Sequence, residues 1–529
     1  MEPKRQAELQ LGHMCNNRCV FCVSGQETAL GRARPLPVEP LLERVREARA
    51  RGNSKLTLLG GEPTLQPGFP QVLAEAVRLG FEEIVVFTNG VKTGRASLVD
   101  ELIELGAGRV TWRLSFQGGT EEAHERTTRR PGSFGRLLRT LEHLHARGQR
   151  VTANLCVVSS NCESVAELPA LLLPFGVSQI HLDMMRPLDA GARTEEELAA
   201  MLPRYSRLVT PFTRLAAQVP AGFDLNLGNL PYCIAPALAP LIHHDGEATD
   251  TIAIDGDAAL SRPWNKYEVK RRDKVKPEGC RECVFEARCS GVFETYRALH
   301  GVDELVPVTA ARLRELDPQR RVFWAHLTPL VRALGAAAPP APFERVAAEV
   351  TSDVAARVRL EGGGASLWLA LTPPGAGSAG TSEVALTVEG ASGPRPALER
   401  GLALVWGILL RHGGTPAHPP GADAFAGGFS PSVTRRLALL RARAPFGALT
   451  WVAVDRVDDG ARAELRLESP EGAEVVLYLA DEGGKRTGGY RVTRGEATPR
   501  VIDGLRAAMG ALGGGARLGA TSAHADPRG

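Results

Sequence analysis

Between residue 6 and about residue 216, short apolar runs alternate with stretches whose apolar positions recur every three to four residues. The runs "AELQLG", "KLTLLG", "EIVVFT", "VTWRLSF", "VTANLCVV" and "IHLDMM" predict six strands. Stretches such as "VEPLLERVREARARG" and "FGRLLRTLEHLHARGQR" predict amphipathic helices between them. Six strand–helix units in succession predict an α/β fold, a parallel sheet with right-handed crossovers that is open or curled into part of a barrel. Active sites in such sheets gather at the carboxyl ends of the strands, so the strand-end residues carry the functional reading.

After residue 216 the rhythm breaks. "ATDTIAIDGDAALSRPWNKYEV" predicts a hairpin turning at Asp255 and Gly256, with a cysteine group behind it. "ALGAAAPPAPF" reads as a connector. Then the pattern repeats: "ARVRLEGGGASLWLAL" aligns with "AELRLESPEGAEVVLYLA", each with a matching strand before it and a strand and helix after it. The expected division is 1–216 for the parallel sheet, 217–305 for a cysteine-bearing element and 306–343 for a helical linker. Residues 344–412 and 446–513 form the duplicated α+β lobes, with a linker at 413–445 and a disordered tail at 514–529.

Composition adds mostly exclusions. With 43% hydrophobic and 23% charged residues among 529, the chain has an ordinary globular make-up and a length prior of about three domains. Its 63 basic and 60 acidic side chains, net +3, give no support to a nucleic-acid or membrane-surface binder. "MEPKRQAELQ" lacks the apolar region of a secretory signal, and "GLALVWGILL" is too short to cross a bilayer. Nine cysteines, six of them in two tight groups, point to metal or cluster ligation in a reducing cytoplasm rather than to disulfides.

The first group is "LGHMCNNRCVFCVSG", where Cys15, Cys19 and Cys22 follow the first strand as CxxxCxxC. Three thiolates on one loop can hold three corners of an iron–sulfur cubane and leave one iron for a non-protein ligand. A zinc loop with a distant fourth ligand stays open on the residues alone. The second strand ends in "GGEP", Gly60, Gly61, Glu62 and Pro63; paired glycines allow close backbone approach, and a carboxylate can accept from an ammonium. The third ends in Thr88, Asn89 and Gly90, and the fourth carries Ser115. GGEP could be a plain strand-to-helix turn, and Asn89-Gly90 a turn dipeptide.

Taken in order along successive strand ends, these motifs resemble those of the radical S-adenosylmethionine (radical SAM) superfamily, with Phe21 as the aromatic before the last cysteine of the loop. The resemblance covers residues 6 to about 216 and implies a partial six-unit barrel in which S-adenosylmethionine chelates the open iron of a [4Fe-4S] cluster at Cys15, Cys19 and Cys22. It implies that GGEP meets the methionine amino group, that Ser115 and Asn154 meet ribose or carboxylate, and that "HLDMM" gives apolar contacts near adenine. Reduction of the cluster would cleave the cofactor and yield a 5′-deoxyadenosyl radical that abstracts a substrate hydrogen atom.

The second group, Cys280, Cys283 and Cys289 after the predicted hairpin, resembles the auxiliary-cluster extensions called Twitch or SPASM, with Cys233 placed like the upstream fourth ligand. Four cysteines would close one further [4Fe-4S] cluster, in a one-cluster Twitch-like element suited to electron transfer; a structural zinc site is the alternative. Two clusters and S-adenosylmethionine are therefore the expected cofactors, and a flavodoxin or ferredoxin the expected reductant. Cys156 reads as a small core residue, Cys162 as an incidental loop cysteine, and His243, His244 and Asp245 as a solvated loop.

The 14 residues before Cys15 leave no room for an N-terminal leader-binding domain, so the duplicated lobes are read as a substrate-binding or dimerisation element. The extra domain favours a peptide or protein substrate. A small-molecule substrate, or a non-catalytic iron–sulfur carrier or scaffold, remains as the alternative reading.

Overall fold

A computed structural model describes residues 5–244, 246, 249–254, 259–373, 384–411, 433, 436, 437, 440, 444–457, 462–482 and 485–511. The chain divides into two compact units, Met1–Pro318 and Gln319–Gly529. Among the described residues, no helix is long and apolar enough to cross a membrane.

The first unit is built on β1 (Gln6–Gln10), β2 (Lys55–Leu59), β3 (Glu83–Thr88), β4 (Val110–Ser115), β5 (Arg150–Val157) and β6 (Gln179–Met184). These six lie side by side in chain order, all parallel. Beyond β6 the sheet gains β7 (Asp224–Gly228) and β8 (Ile242–His243), also parallel. Beside β1 it gains β9 (Thr249–Ile252), parallel, and β10 (Trp264–Asn265), antiparallel to β9. The two arms of the expected hairpin therefore extend the sheet, while its turn at Asp255 and Gly256 lies outside the described residues.

Sequential parallel strands joined by right-handed crossovers put every connecting helix on one face. The helices α1 (Val23–Ala29), α2 (Val38–Ala50), α3 (Phe69–Arg78), α4 (Ala96–Gly106), α5 (Glu121–Thr128) and α6 (Ser133–Ala146) follow in turn. Beneath this layer lie Leu56, Leu58, Ile84, Val86, Trp112, Leu114, Leu155 and Leu182, each at most 1% exposed. The alternate residues form an inner face that is largely polar, with Glu8, Arg113, Ser115, Asn154, His181 and Asp183.

The helix Lys266–Arg272 spans this inner face. Lys266 Nζ pairs with Glu8 on β1 at 2.5 Å, and one turn later Lys270 Nζ pairs with Asp183 on β6 at 3.0 Å. One helical turn rises only about 6 Å. The sheet is therefore curled far enough to bring β1 and β6 to the same short helix, as in a partial barrel.

The second unit holds two four-stranded antiparallel sheets, each in chain order. The first is β11 (Arg345–Ser352), β12 (Ala355–Gly362), β13 (Ala365–Thr372) and β14 (Ala385–Ser392), followed by the helix Arg395–Arg411. The second is β15 (Thr450–Val457), β16 (Arg462–Glu468), β17 (Glu474–Glu482) and β18 (Lys485–Arg494), followed by the helix Pro499–Ala511.

Each lobe also uses chain that the pattern reads as linker. Phe323, Leu327, Leu330 and Leu334, on the helix Phe323–Gly335, are buried with Val358, Leu360, Leu367 and Leu369 of the first lobe. Val433, Leu437 and Leu440 join Leu465, Leu467, Val475 and Leu477 in the second. A four-stranded sheet with one helix leaves part of its apolar face bare, and these residues cover it. The tail at 514–529 lies outside the described residues.

Candidate active site

Cys15, Cys19 and Cys22 occupy the loop from β1 to α1, all half-buried. The backbone of the GGEP segment holds this loop: Gly61 N donates to Gly12 O at 2.6 Å and Glu62 N to Met14 O at 2.8 Å. A Cβ on Gly61 would stand 2.3 Å from Met14 O, and one on Gly60, at φ +146°, 2.8 Å from Gly12 O. What requires these glycines here is the cysteine loop itself, where the sequence reading invoked a ligand. On its other side, Arg18 N and Val20 N donate to Thr128 O and Thr127 O at the end of α5.

Glu62 is fully buried. Its carboxylate accepts from Thr88 Oγ1 at 2.7 Å, Asn89 N at 2.7 Å, and the hydroxyl and amide of Thr64. Burial raises its pKa, and these four donors oppose the shift. Glu62 thus ties the end of β2 to the end of β3. Asn89 continues the link, its Nδ2 donating to Asn16 Oδ1 at 2.7 Å and to Cys15 Sγ at 3.6 Å.

Cys15 and Cys19 are both shifted by their surroundings. Burial, then Glu62 and Cys22, push Cys15 up to about 12, against hydrogen bonds from Asn17 and Asn89. Burial, then Cys22 and Cys15, push Cys19 well above the usual thiol range. Such thiols stay protonated on their own, and a cationic iron centre would stabilise the thiolate form. Three thiols on one loop with an amide donor suit a cubane, in which hydrogen bonds to sulfur tune the potential.

Ser115 and Asn154 face each other in register across β4 and β5, both half-buried on the inner face. The row continues through His181 on β6 and Asn226 on β7. Phe21 and Cys156 pack against the cluster of Val158, Met185, Ala190 and Leu202. Two sequence readings need correction here. Cys156 is on the inner face rather than under the helices, partly buried against that cluster and within electrostatic reach of Cys19, because β5 turns its even-numbered residues inward. "HLDMM" presents His181 and Asp183 inward, burying Leu182 and Met184 under the helices, so only Met185 serves the apolar cluster.

The second group lies within electrostatic reach of a fourth cysteine, Cys233. The short strands Lys274–Val275 and Val292–Phe293 pair antiparallel and bracket the loop that carries Cys280, Cys283 and Cys289. Gly291, at φ +86°, closes that bracket where a Cβ would meet Val275 O at 2.1 Å. Tyr232 brings in Cys233: its ring stacks on Phe285 at 5.1 Å and on His244 at 5.2 Å. Cys233 is pushed up to about 12 by burial and then by Cys289, Cys283 and Cys280.

His244 belongs to this packing and is 6% exposed, unlike the solvated loop expected for it; His243 is exposed, and Asp245 lies outside the described residues. Cys162, read as an incidental loop cysteine, opens the 3-10 turn Cys162–Glu167 and is buried. Among the described residues, no three His, Cys, Asp or Glu side chains close on a point that would hold a single metal ion.

Sequence reading passed over Arg113, His181, Asp183, Lys270 and Lys274. Asp183 accepts from Asn229 Nδ2 at 2.5 Å as well as from Lys270. Burial alone would raise its carboxyl, but Lys270, His181 and Asn229 hold it well below the usual range. Lys274 Nζ donates to Asn229 Oδ1 at 2.5 Å and to Ser290 Oγ at 2.8 Å, so hydrogen bonds run from the inner face to the residue after Cys289. The only sequence signal was polar residues alternating within otherwise apolar strands.

A curled parallel sheet with a three-cysteine loop at the end of its first strand defines a class of cluster-binding α/β domain. Residues 9–167 match the family model of the Radical SAM superfamily, and this segment of the chain is a radical SAM domain. That family uses a [4Fe-4S] cluster and S-adenosylmethionine.

Among curated relatives, a PqqA peptide cyclase of Ruegeria pomeroyi is 26% identical over 301 residues, which cover 52% of this chain and 78% of the relative. A GTP 3',8-cyclase of Pseudomonas fluorescens is 29% identical over 145 residues, covering 27% of this chain and 42% of the relative. Several of the curated relatives are thus matched over well under two thirds of their own length. Among solved structures, Streptococcus suis SuiB bound to S-adenosylmethionine aligns at 15% identity and TM-score 0.39, covering 57% of this chain and 76% of that one. That likeness is too distant to inform the chemistry here.

Proposed function

We propose that the chain is a radical SAM enzyme that acts on a peptide or protein, with Cys15, Cys19 and Cys22 holding the catalytic [4Fe-4S] cluster. The observation that carries this reading is the loop itself: three cysteines at the end of β1, held by the GGEP backbone within a radical SAM domain. When bound, the cluster and cofactor supply an electron and a 5′-deoxyadenosyl radical that removes a hydrogen atom from the substrate.

The protein's part is placement. Gly60 and Gly61 let the loop sit against β2, Glu62 connects it to the end of β3, Pro63 begins the turn that follows, and Asn89 donates toward Cys15. Ser115 and Asn154 offer a hydroxyl and an amide side by side for the ribose or carboxylate, and Phe21 backs the loop on the apolar cluster. Cys233, Cys280, Cys283 and Cys289 are assigned an auxiliary [4Fe-4S] cluster that exchanges electrons with the substrate. Their chemistry also suits zinc, and metal analysis separates the two. The relative that acts on the PqqA peptide supports a peptide substrate. A flavodoxin or ferredoxin in the cytoplasm is the matching reductant.

The test is anaerobic reconstitution, followed by iron and sulfide counts and an assay for 5′-deoxyadenosine after adding dithionite and S-adenosylmethionine. About eight irons per chain together with that product support the reading. About four irons, lost with Cys15→Ala and kept with Cys280→Ala, remove the auxiliary cluster. A full iron complement with no cleavage product overturns the enzyme reading.

A further inference from the structure

Among the described residues, the inner face of the first unit carries Lys266, Lys270 and Arg113 against Glu8 and Asp183. Lys266 is taken by Glu8 and Lys270 by Asp183. Arg113 is left over. It stands on β4 between the fully buried Trp112 and Leu114, and so points inward, half-buried, with its guanidinium 5.9 Å from the centroid of the Phe87 ring. Its Nε is buried without a hydrogen-bond partner, and the guanidinium makes no ion pair with any described residue.

Its neighbours do not supply a counter-ion either. Across β5 its register partner is Thr152, and the row one step closer to the strand ends is Ser115, Asn154 and His181. His181 is kept neutral, held down to about 4 by burial, against Asp183, with Arg113, Lys270 and Lys266 adding to the depression.

A half-buried guanidinium with its Nε buried and no ion-pair partner among the described residues is stabilised when a ligand brings the opposite charge. Its planar fork matches an oxyanion through two parallel hydrogen bonds. We propose that Arg113 binds a carboxylate of the substrate, an acidic side chain or a chain-terminal carboxylate, one layer deeper than the strand-end cofactor site. A single negative charge fits best. Among the described residues one cation of this face is unmatched, and Glu8 and Asp183 on the same face would repel a phosphate dianion.

This inference rests on reading the inner face as the substrate side of the proposed enzyme. Its test needs no turnover, so an inactive radical site would not imitate its failure. The probes are N-acetylglutamate N-methylamide, which presents one carboxylate, and the neutral glutamine counterpart, titrated calorimetrically into the reconstituted protein holding S-adenosylmethionine at low salt.

The expected result is binding of the glutamate probe at least tenfold tighter than the glutamine probe, a preference lost in Arg113→Gln and partly kept in Arg113→Lys. Equal binding of the two probes by the unmodified protein overturns the proposal, and that measurement depends on no variant folding. A preference that survives Arg113→Gln overturns it as well. So does a tenfold loss of S-adenosylmethionine affinity in Arg113→Gln with the preference intact, which would give the guanidinium to the cofactor's carboxylate.

Discussion

The sheets of the two units are written in much the same alternation and come to opposite ends. In the first lobe of the second unit, β12 buries Ala356, Val358 and Leu360 and turns Arg357, Arg359 and Glu361 the other way. Those charges meet partners across the open face, Arg357 with Glu389 and Arg359 with Glu349. In the first unit, β4 buries Trp112 and Leu114 and turns Arg113 and Ser115 the other way, but there the sheet curls and the helix Lys266–Arg272 crosses the face. Polar alternates that face water cost little and do little. The same alternates enclosed by a curled sheet lose solvent and gain electrostatic strength.

The largest way to break the contrast is Cys19→Ala. It should abolish 5′-deoxyadenosine formation and remove about four irons per chain, leaving the melting of the second unit unchanged, as seen by calorimetry and iron analysis. Next is Asp183→Asn, which strands Lys270 within the inner face. Denaturant titration should show the first unit destabilised by up to about 3 kcal/mol.

Gly61→Ala drives a methyl into Met14 O and shifts the cysteine loop. Cofactor cleavage should slow by about 100-fold in a single-turnover assay, as misplacement by about an ångström does elsewhere.

The pH response sharpens the same difference. His124 is fully buried, accepts from Gln117 N at 3.1 Å through Nδ1, and has its pKa lowered by burial from 6.5 to about 4. A depressed histidine binds protons more readily in the unfolded chain, so its contribution is complete above pH 6.5 and is lost as pH falls toward 4. Thermal melts should show the first unit weakening by a few kcal/mol across that window, with a flatter profile in His124→Asn. The smallest effect belongs to Arg357→Ala on the open face, where the ion pair is solvated; stability should change by less than about 1 kcal/mol in the same titration.

Much of this was legible along the chain. The alternation of β4 and β5, the cysteine spacing and GGEP are local signals, set by a period of two or by neighbours within a few residues. Hence the six strands, the three-cysteine loop and the duplicated lobes could be read directly. The helix Phe323–Gly335 and the residues Val433, Leu437 and Leu440 were read as parts of linkers because a connector and a covering segment differ only in what they pack on.

Cys156, read as core, and His244, read as solvated, were misplaced for a related reason. Burial of a single small or polar residue depends on which face the strand presents and on what stacks beside it, as Tyr232 does for His244.

By itself, the sequence determined the parallel order, the motif positions at strand ends and the donor chemistry of both cysteine groups, since each follows from local geometry and residue type. Only the tertiary structure set Cys233 within electrostatic reach of Cys280, Cys283 and Cys289, gave the close approach of the GGEP glycines to the cysteine loop, and left Arg113 without an ion-pair partner among the described residues. Those outcomes depend on curvature and on contacts between residues far apart in the chain, and pairing of charges across a folded face has no period to read.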